Sequence, residues 1–284
     1  MILSNLPDSL STLTDTVKAG KESGGAWILH HVMDANHVDF GPFGKLYLPK
    51  IELFGIDFSI TKDIFYLWVA AALLVILFFI VSRRYKKSLI PKGLTNLFEI
   101  MIIFVRDEIV KPTIGKGYEA FMPYMLTLFF FILFVNLLGL IPTPNLVVPT
   151  GNIGVTASLA LISFIAIQFG GIKSLGFSHY LKSLVPKGMP FLILIIIVPL
   201  EILGLLTKPF ALCIRLFANM IAGHIVIFAV LGLIFIFQSY FVSPVSIGFT
   251  LFIELLEILI AFIQAYIFTM LTALFIGMAM HPEH

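Results

Sequence analysis

The sequence contains little charge and almost no cysteine. Only 12% of its 284 residues are charged, whereas 59% are hydrophobic and the mean hydropathy is +1.05. A soluble domain carries about twice that share of charged residues. The single cysteine, Cys213, excludes an internal disulfide and any metal site built from cysteines. These shortages exclude an ordinary soluble enzyme and indicate a polytopic membrane protein.

Several common motifs are missing as well. No glycine-rich phosphate loop is present, so we predict no nucleotide chemistry, no cofactor and no nucleic-acid partner. The first ten residues lack a basic segment followed by an apolar run, so we expect no signal peptide. His30, His31 and His37 have no partnering cysteine, and we interpret them as surface histidines without a metal.

The distribution of charge predicts the first part of the topology. Residues 1–63 are polar and slightly acidic, and residues 64–81 are apolar enough to cross ~30 Å of hydrocarbon together with their flanks. The basic run 83–87 follows at once, which places it on the cytoplasmic side and the N-terminal tail outside. Residues 94–110 are apolar on one side but contain four charged residues, so we predict an amphipathic helix at the cytoplasmic interface.

Two further spans form a predicted hairpin. They comprise residues 121–141 and 153–169, and the loop 142–152 between them has no charged residue, as an external loop should. Lysines follow the second of these spans, which returns the chain to the cytoplasmic side. We therefore expect residues 64–188 to form a three-span scaffold.

The last part of the chain, residues 189–284, has a different pattern. The apolar segments 189–237 and 249–280 are each too long for one simple span, and the uncharged loop 238–248 between them is predicted to be external. A single net crossing by 189–237 keeps that loop outside and the C terminus in the cytoplasm. It implies a strongly tilted helix, a broken helix or a re-entrant first part, and we assign this region the functional role.

Arg215 is the most informative residue of that region. It is the only arginine after Arg106, and its guanidinium cannot be deprotonated in a protein. Inserting it at membrane depth costs roughly 3 kcal/mol, which indicates an ion pathway or a counter-charge. On an ideal helix Asn219 shares its face, whereas His224 lies half a turn round and ~13.5 Å along the axis.

The last segment supplies the complementary groups. Glu257 and Gln264 are seven residues apart and share a helix face, and Glu254 lies about a sixth of a turn from Glu257. Histidine and glutamate side chains can transfer protons, whereas a permanent cation blocks a direct leak. We treat Glu254, Glu201 and Lys208 as possible accessory groups, and we interpret Glu201 and Lys208 as a scaffold pair, with proton transfer as the alternative role.

These residues resemble those of the a subunit of F-type ATP synthases. The resemblance rests on Arg215-Leu-Phe-Ala-Asn219-Met-Ile-Ala-Gly-His224, on Glu201 followed after six residues by Lys208-Pro, and on Gln264-Ala-Tyr-Ile-Phe-Thr-Met-Leu-Thr. In looser form it extends from the N-terminal tail through all the spans. It implies an all-α membrane protein with five transmembrane helices, of which the last two form a long, tilted hairpin against a rotating ring of c subunits.

The resemblance also implies roles for individual residues. The arginine matching Arg215 faces the carboxylate of each passing c subunit, with the glutamine matching Gln264 beside it. His224 and Glu257 match an inlet pair in the order of mitochondrial members, whereas many bacterial members have glutamate first. The implied activity is ion translocation by two aqueous half-channels, and this chain performs no bond chemistry alone.

The resemblance further implies partners and a location. The partners are the c-subunit ring, the b subunits of the peripheral stalk, the remaining ATP synthase sector and the lipid bilayer. We expect a multi-pass protein of the bacterial inner membrane, with a periplasmic N terminus and a cytoplasmic C terminus. The c subunit sets the ring size and largely chooses the ion, so proton coupling is an inference.

Two other classes of membrane protein fit the sequence less well. A secondary ion-coupled transporter favours two repeated halves, and no such internal symmetry is visible in the sequence. A structural membrane scaffold gives no reason for inserting Arg215 together with a histidine and glutamates. We keep the transporter as the alternative function.

Overall fold

The computed structural model is built mainly from long helices. It describes residues 37–39, 45–49, 52–53, 56–57, 59–87, 93–141, 148–183, 191–237 and 241–282. Within these ranges, 5 helices are long and apolar enough to cross a membrane. The prediction of an all-α membrane protein with five spans is therefore confirmed.

The part of the N-terminal tail that is described forms two short strand pairs. Strand β1 (His37–Asp39) pairs antiparallel with β2 (Lys45–Tyr47), and β3 (Glu52–Leu53) pairs antiparallel with β4 (Ile56–Asp57). They precede the first helix and leave the membrane region wholly helical. Most of the tail, including two of the three histidines interpreted above, lies outside the described residues.

The helices follow the predicted order of spans. They are α1 (Lys62–Lys87), α2 (Leu94–Phe104), a π-helical stretch (Val105–Val110), α3 (Lys111–Ile114), α4 (Met122–Gly139), α5 (Ile153–Leu175), α6 (Phe177–Ser183), α7 (Phe191–Phe237) and α8 (Val242–Met280). Two 3-10 turns, Tyr118–Ala120 and Pro149–Gly151, precede α4 and α5. The first three spans fall where the charge pattern predicts them, with ends that differ by a few residues.

The predicted loop 238–248 is wrong over most of its length. Helix α8 begins at Val242, so only a few residues connect it to α7. Pro244 lies in the first turn of α8, where its missing N–H would have no intrahelical partner, and it is therefore tolerated there. Loop-like composition at this place marks the start of a helix rather than a connection.

Of the three arrangements left open for the fourth span, the broken helix is the one that the structure contradicts. Helix α7 runs through Pro199 and Pro209 over 47 residues without a break. A straight helix of that length is about 70 Å long, against ~30 Å of hydrocarbon. Of the three arrangements considered, strong tilt is the one that a continuous helix allows.

Helix α8 is the centre of the helical assembly. It packs against α7, α5, α4 and α3, whereas α1 packs at the periphery against α4 and α2. The rings of Phe78, Phe98 and Phe130 have centroids 5.0–5.6 Å apart and join α1, α2 and α4. The core lies between α4 and α8, where Phe130 and Phe268 are fully buried.

Residues 94–114 form one nearly continuous helical element. Phe98, Val105 and Ile109 face the core, while Arg106 and Asp107 are exposed and paired to each other at 2.9 Å. This contact with Arg106 lowers the pKa of the Asp107 carboxyl. The element is amphipathic as predicted, and its position at the membrane interface stays a prediction.

Two polar contacts fix which helix ends lie together. Asn152 caps α5 by accepting from the Gly154 N–H at 2.8 Å, and its amide donates to Asp63 at the start of α1 at 2.7 Å. At the opposite end, the Ser174 hydroxyl donates to the Met280 carbonyl of α8 at 3.1 Å. The starts of α1 and α5 therefore share one side, and the ends of α5 and α8 share the other, as the predicted topology requires.

One close backbone approach holds the end of α8. A Cβ added to Gly277 would collide with the Thr113 carbonyl oxygen, which is a backbone atom and cannot rotate away. The absence of a side chain at Gly277 thus allows α8 to lie directly against the residues that end α3. This contact fixes the depth of α8 in the assembly.

We expect Gly277→Ala to destabilise the fold by about 1–3 kcal/mol, because it overpacks this contact. Gly248→Ala is the matched control in the same helix, since its Cβ would meet no atom within 4 Å. Alanine there should stabilise the helix by about 0.5–1 kcal/mol. Thermal unfolding of the chain in detergent measures both, and a Gly277→Ala variant as stable as the control would contradict the close approach.

Candidate functional site

Two interhelical contacts set the register of α7 against α8. The Asn219 amide donates to Gln264 Oε1 at 2.9 Å, and His224 Nδ1 lies 3.9 Å from Glu257 Oε2. The residue numbers rise along α7 as they fall along α8, so the two helices form an antiparallel hairpin. The structure thereby brings together four of the five residues predicted for ion translocation.

Gln264 is the more deeply buried partner of the amide pair. Its side chain is 1% exposed, whereas Asn219 opens to the outer surface of the hairpin. The Gln264 Nε2 atom has no hydrogen-bond partner among the described residues. Because an unpaired buried donor is costly, this amide has spare hydrogen-bonding capacity at membrane depth.

His224 is held by two backbone carbonyl groups. Its Nδ1 lies 3.0 Å from the Met220 carbonyl oxygen, one turn earlier in α7, and its Nε2 lies 3.4 Å from the Gly139 carbonyl oxygen at the end of α4. The imidazole is buried, with 5% exposure. A ring with acceptors at both nitrogens is fixed in place and can donate from either side, depending on its protonation.

Glu257 is buried beside this ring without a hydrogen bond. Neither carboxylate oxygen has a partner among the described residues, and the side chain of the residue is enclosed by α7. Gly223 provides the space, since a Cβ at that position would collide with Glu257 Oε1. Glu254, one turn away, is half-buried and close enough to interact electrostatically with Glu257.

Arg215 differs from the other predicted site residues. Its side chain is half-buried and forms neither a hydrogen bond nor an ion pair within the described ranges. It lies two and a half turns before His224 on α7, so it belongs to neither interhelical contact. The structure therefore separates the fixed cation from the titratable pair, as the helical spacing predicts.

Glu201 and Lys208 line a different place, a cavity of about 560 Å³ between the first half of α7 and the end of α8. Glu201 and Lys208 form no ion pair within 4.0 Å, because two helical turns separate them by about 10.5 Å along the axis of α7. The interpretation as a scaffold pair is therefore wrong. The Lys208 ammonium lies 5.1 Å from the Phe275 ring centroid instead. Tyr180 also lines the cavity, and burial, together with the Glu201 carboxylate, raises the pKa of its phenol against the opposing effect of its hydrogen bond to Gln168.

Two glycines that matter for the site were not singled out in the sequence. Gly223 makes room for the Glu257 carboxylate, and Gly139 presents its carbonyl to His224. A Cβ at Gly139 would lie 2.8 Å from the Val148 side chain, so the packing of Val148 against the end of α4 also needs glycine. Glycine is unfavourable inside a helix, so its presence in an apolar helical segment indicates a position where a neighbouring group approaches closely.

A polar helical hairpin inside an assembly of five long apolar helices defines a membrane protein with an intramembrane ion site. Residues 64–277 match the family model described as ATP synthase A chain. The chain is 52% identical over 260 residues to ATP synthase subunit a of Chloroherpeton thalassium, covering 90% of this chain and 77% of that relative. It is 48% identical over 231 residues to ATP synthase subunit a of Myxococcus xanthus, covering 81% and 75% respectively.

The chain belongs to the ATP synthase A chain family. It is thus a non-catalytic, multi-pass membrane subunit of F-type ATP synthase, on the stator side of the membrane sector, and works in a complex with other ATP synthase subunits. The family membership favours this function over the secondary transporter considered above.

We expect Gly223→Ala to slow ATP-driven proton pumping at least roughly tenfold, because it displaces the Glu257 carboxylate and a misplacement of about 1 Å can cost up to about 100-fold. Gly204→Ala is the control in the same helix, where the added Cβ meets no atom within 4 Å. Pumping is measured in inverted vesicles at equal complex content. Equal rates for the two variants would show that the space beside Gly223 is not needed.

Proposed function

We propose that this chain passes protons to and from a rotating ring of c subunits through two half-channels separated by Arg215. The observation that carries the proposal is the buried contact between His224 and Glu257, in which the carboxylate has no hydrogen bond. A carboxylate left without donors inside a membrane protein is poorly stabilised as an anion, which suits it to accept a proton. The imidazole beside it is the natural donor.

The entrance is proposed to lie at the connection between α7 and α8. Ser246 and Thr250 are buried on the same side of α8 as Glu257, about three and two turns nearer its start, and the Thr250 hydroxyl has no partner among the described residues. A buried serine and an unpartnered threonine hydroxyl along an apolar helix support a narrow polar path in which water completes the hydrogen bonds. The path would end at Glu257 and His224.

Arg215 is proposed to act as the barrier between the half-channels. Its guanidinium stays charged and lacks an ion pair within the described ranges, so a carboxylate from another chain is its expected partner. A deprotonated c-subunit carboxylate would be attracted to it, while free protons would be repelled. The exposed Asn219 side chain, one turn after Arg215, offers a hydrogen bond to the same carboxylate, and the buried Gln264 holds the Asn219 amide in place.

The release path is proposed to pass through the cavity at the other end of α7. Glu201 and Lys208 face this cavity together with His281, and none of the three forms an ion pair in the described part of the chain. Since Glu201 and Lys208 do not pair, we retain their alternative role in proton transfer and propose that it serves release. Each proton driven across 100 mV supplies ~2.3 kcal/mol, so many protons per turn provide the torque.

The remaining assignments follow the same arrangement. We propose that residues 1–63 are periplasmic, that residues 64–188 form the scaffold with residues 94–110 at the cytoplasmic interface, and that residues 189–284 form the translocating hairpin. The partners are the c-subunit ring and the b subunits of the peripheral stalk, in a bacterial inner membrane. The bacterial relatives and the basic run 83–87 at the end of α1 support this orientation.

We expect Arg215→Ala to abolish ATP-driven proton pumping in inverted vesicles while leaving assembly intact, because the barrier and the counter-charge are removed together. Arg106→Ala is the control, since it removes an arginine that is exposed and already paired with Asp107. Subunit content of the purified complex measures assembly. Normal pumping by Arg215→Ala would overturn the proposed role.

A further inference from the structure

Helix α1 has one packed side and one uncovered side. Its packed side consists of Ala70, Leu74, Leu77, Phe78 and Val81, which lie in or against the core. Its uncovered side consists of Trp68, Leu73, Val75, Ile76, Phe79 and Ile80, all of which are exposed. The uncovered residues are wholly apolar, so an apolar partner must cover them in the membrane.

The uncovered side ends in a dense group of cations. At about 100° per residue, the six exposed residues fall within an arc of roughly 160° that is centred on the direction of Arg83. Arg84, Lys86 and Lys87 follow in the last turn of the same helix. Arg83 therefore continues the uncovered side, and the exposed Arg84 lies at its edge, next to the packed side.

The basic run 83–87 has no acidic neighbours in the sequence, and Arg83 and Arg84 form no ion pair within the described residues. No aspartate or glutamate occurs between Asp63 and Glu99. Arg83 and Arg84 are exposed, and the Arg83 guanidinium lies 4.4 Å from the centroid of the Phe79 ring. Glu99, the first acid to follow, forms no ion pair with Arg83 or Arg84 within the described residues. The positive charge is thus left available for an external anion.

We propose that this surface, the basic–apolar face formed by Val75, Ile76, Phe79, Arg83 and Arg84, binds an anionic phospholipid. The phosphate lies at the two guanidinium groups, and an acyl chain follows the apolar residues towards the middle of the membrane. Arginine suits the phosphate because it can donate two parallel hydrogen bonds. Ten residues of helix before Arg83 span about 15 Å, which is half of the ~30 Å hydrocarbon layer and the depth of one leaflet.

The charge pattern favours a lipid over a helix of another subunit as the occupant. A helix that covered the face would need acidic side chains grouped at one level to match the cations. An anionic lipid places its negative charge at the level of the cations, because its phosphate lies at the membrane surface and its acyl chains lie below. A protein occupant is therefore one of the outcomes that the experiment separates.

The test uses the complete ATP synthase complex in nanodiscs of phosphatidylcholine that contain a photoactivatable phosphatidylglycerol or, in parallel, the matching phosphatidylcholine. Mass spectrometry measures the lipid cross-linked to α1. We expect phosphatidylglycerol to be preferred. The double variant R83Q/R84Q should lower that preference roughly 25-fold, because each cation near an anionic surface contributes roughly fivefold.

The matched control is the double variant K116Q/K173Q. It removes two exposed cations outside the basic–apolar face, and Lys173 also lies over an aromatic ring, Phe169, at 5.8 Å. We expect it to leave the lipid preference at α1 unchanged. Equal labelling by the two headgroups, equal loss in both double variants, or cross-linking of α1 to another subunit in place of lipid would each overturn the proposal.

Discussion

The need to keep polar side chains away from lipid constrains this structure more than any other requirement. Lipid offers no hydrogen bond to an amide or a carboxylate, so polar side chains at membrane depth are directed towards neighbouring helices instead of the lipid. Asn219 meets Gln264 and His224 meets Glu257, which fixes the register of α7 against α8. A shift of one residue would break both contacts and leave four polar side chains in an apolar environment.

This register depends on close packing around α8. Gly277 lets the end of α8 lie against the backbone of Thr113, and Gly223 leaves room for the Glu257 carboxylate. Both glycines reduce the intrinsic stability of their helices, and both gain a contact that no larger residue allows. The position of Glu257 beside His224 is therefore determined at two places along α8, and Arg215 remains outside the contact. Separation of the fixed cation from the titratable pair is the feature that a barrier between half-channels needs.

The sequence predicts which segments span the membrane but does not predict where each helix begins and ends. Hydropathy and the placement of charge predicted five spans, because insertion of a charged residue is costly and such residues stay outside apolar segments. They fail at residues 242–248, an uncharged segment with the composition of a loop that forms the start of α8, and at Pro199 and Pro209, which α7 accommodates without a break. Side-chain partners across α7 and α8 depend on tertiary register, which periodicity within one helix does not contain.

The central claim is that His224 and Glu257 act as one proton-transferring unit. A double-mutant cycle tests it most directly, with ATP-driven pumping rates measured for His224→Ala, Glu257→Ala and the double variant at equal complex content. Groups that act as a unit have non-additive effects on rate. We predict that the double variant pumps no more slowly than the slower single variant. Losses that multiply, as for two independent sites, would contradict the account.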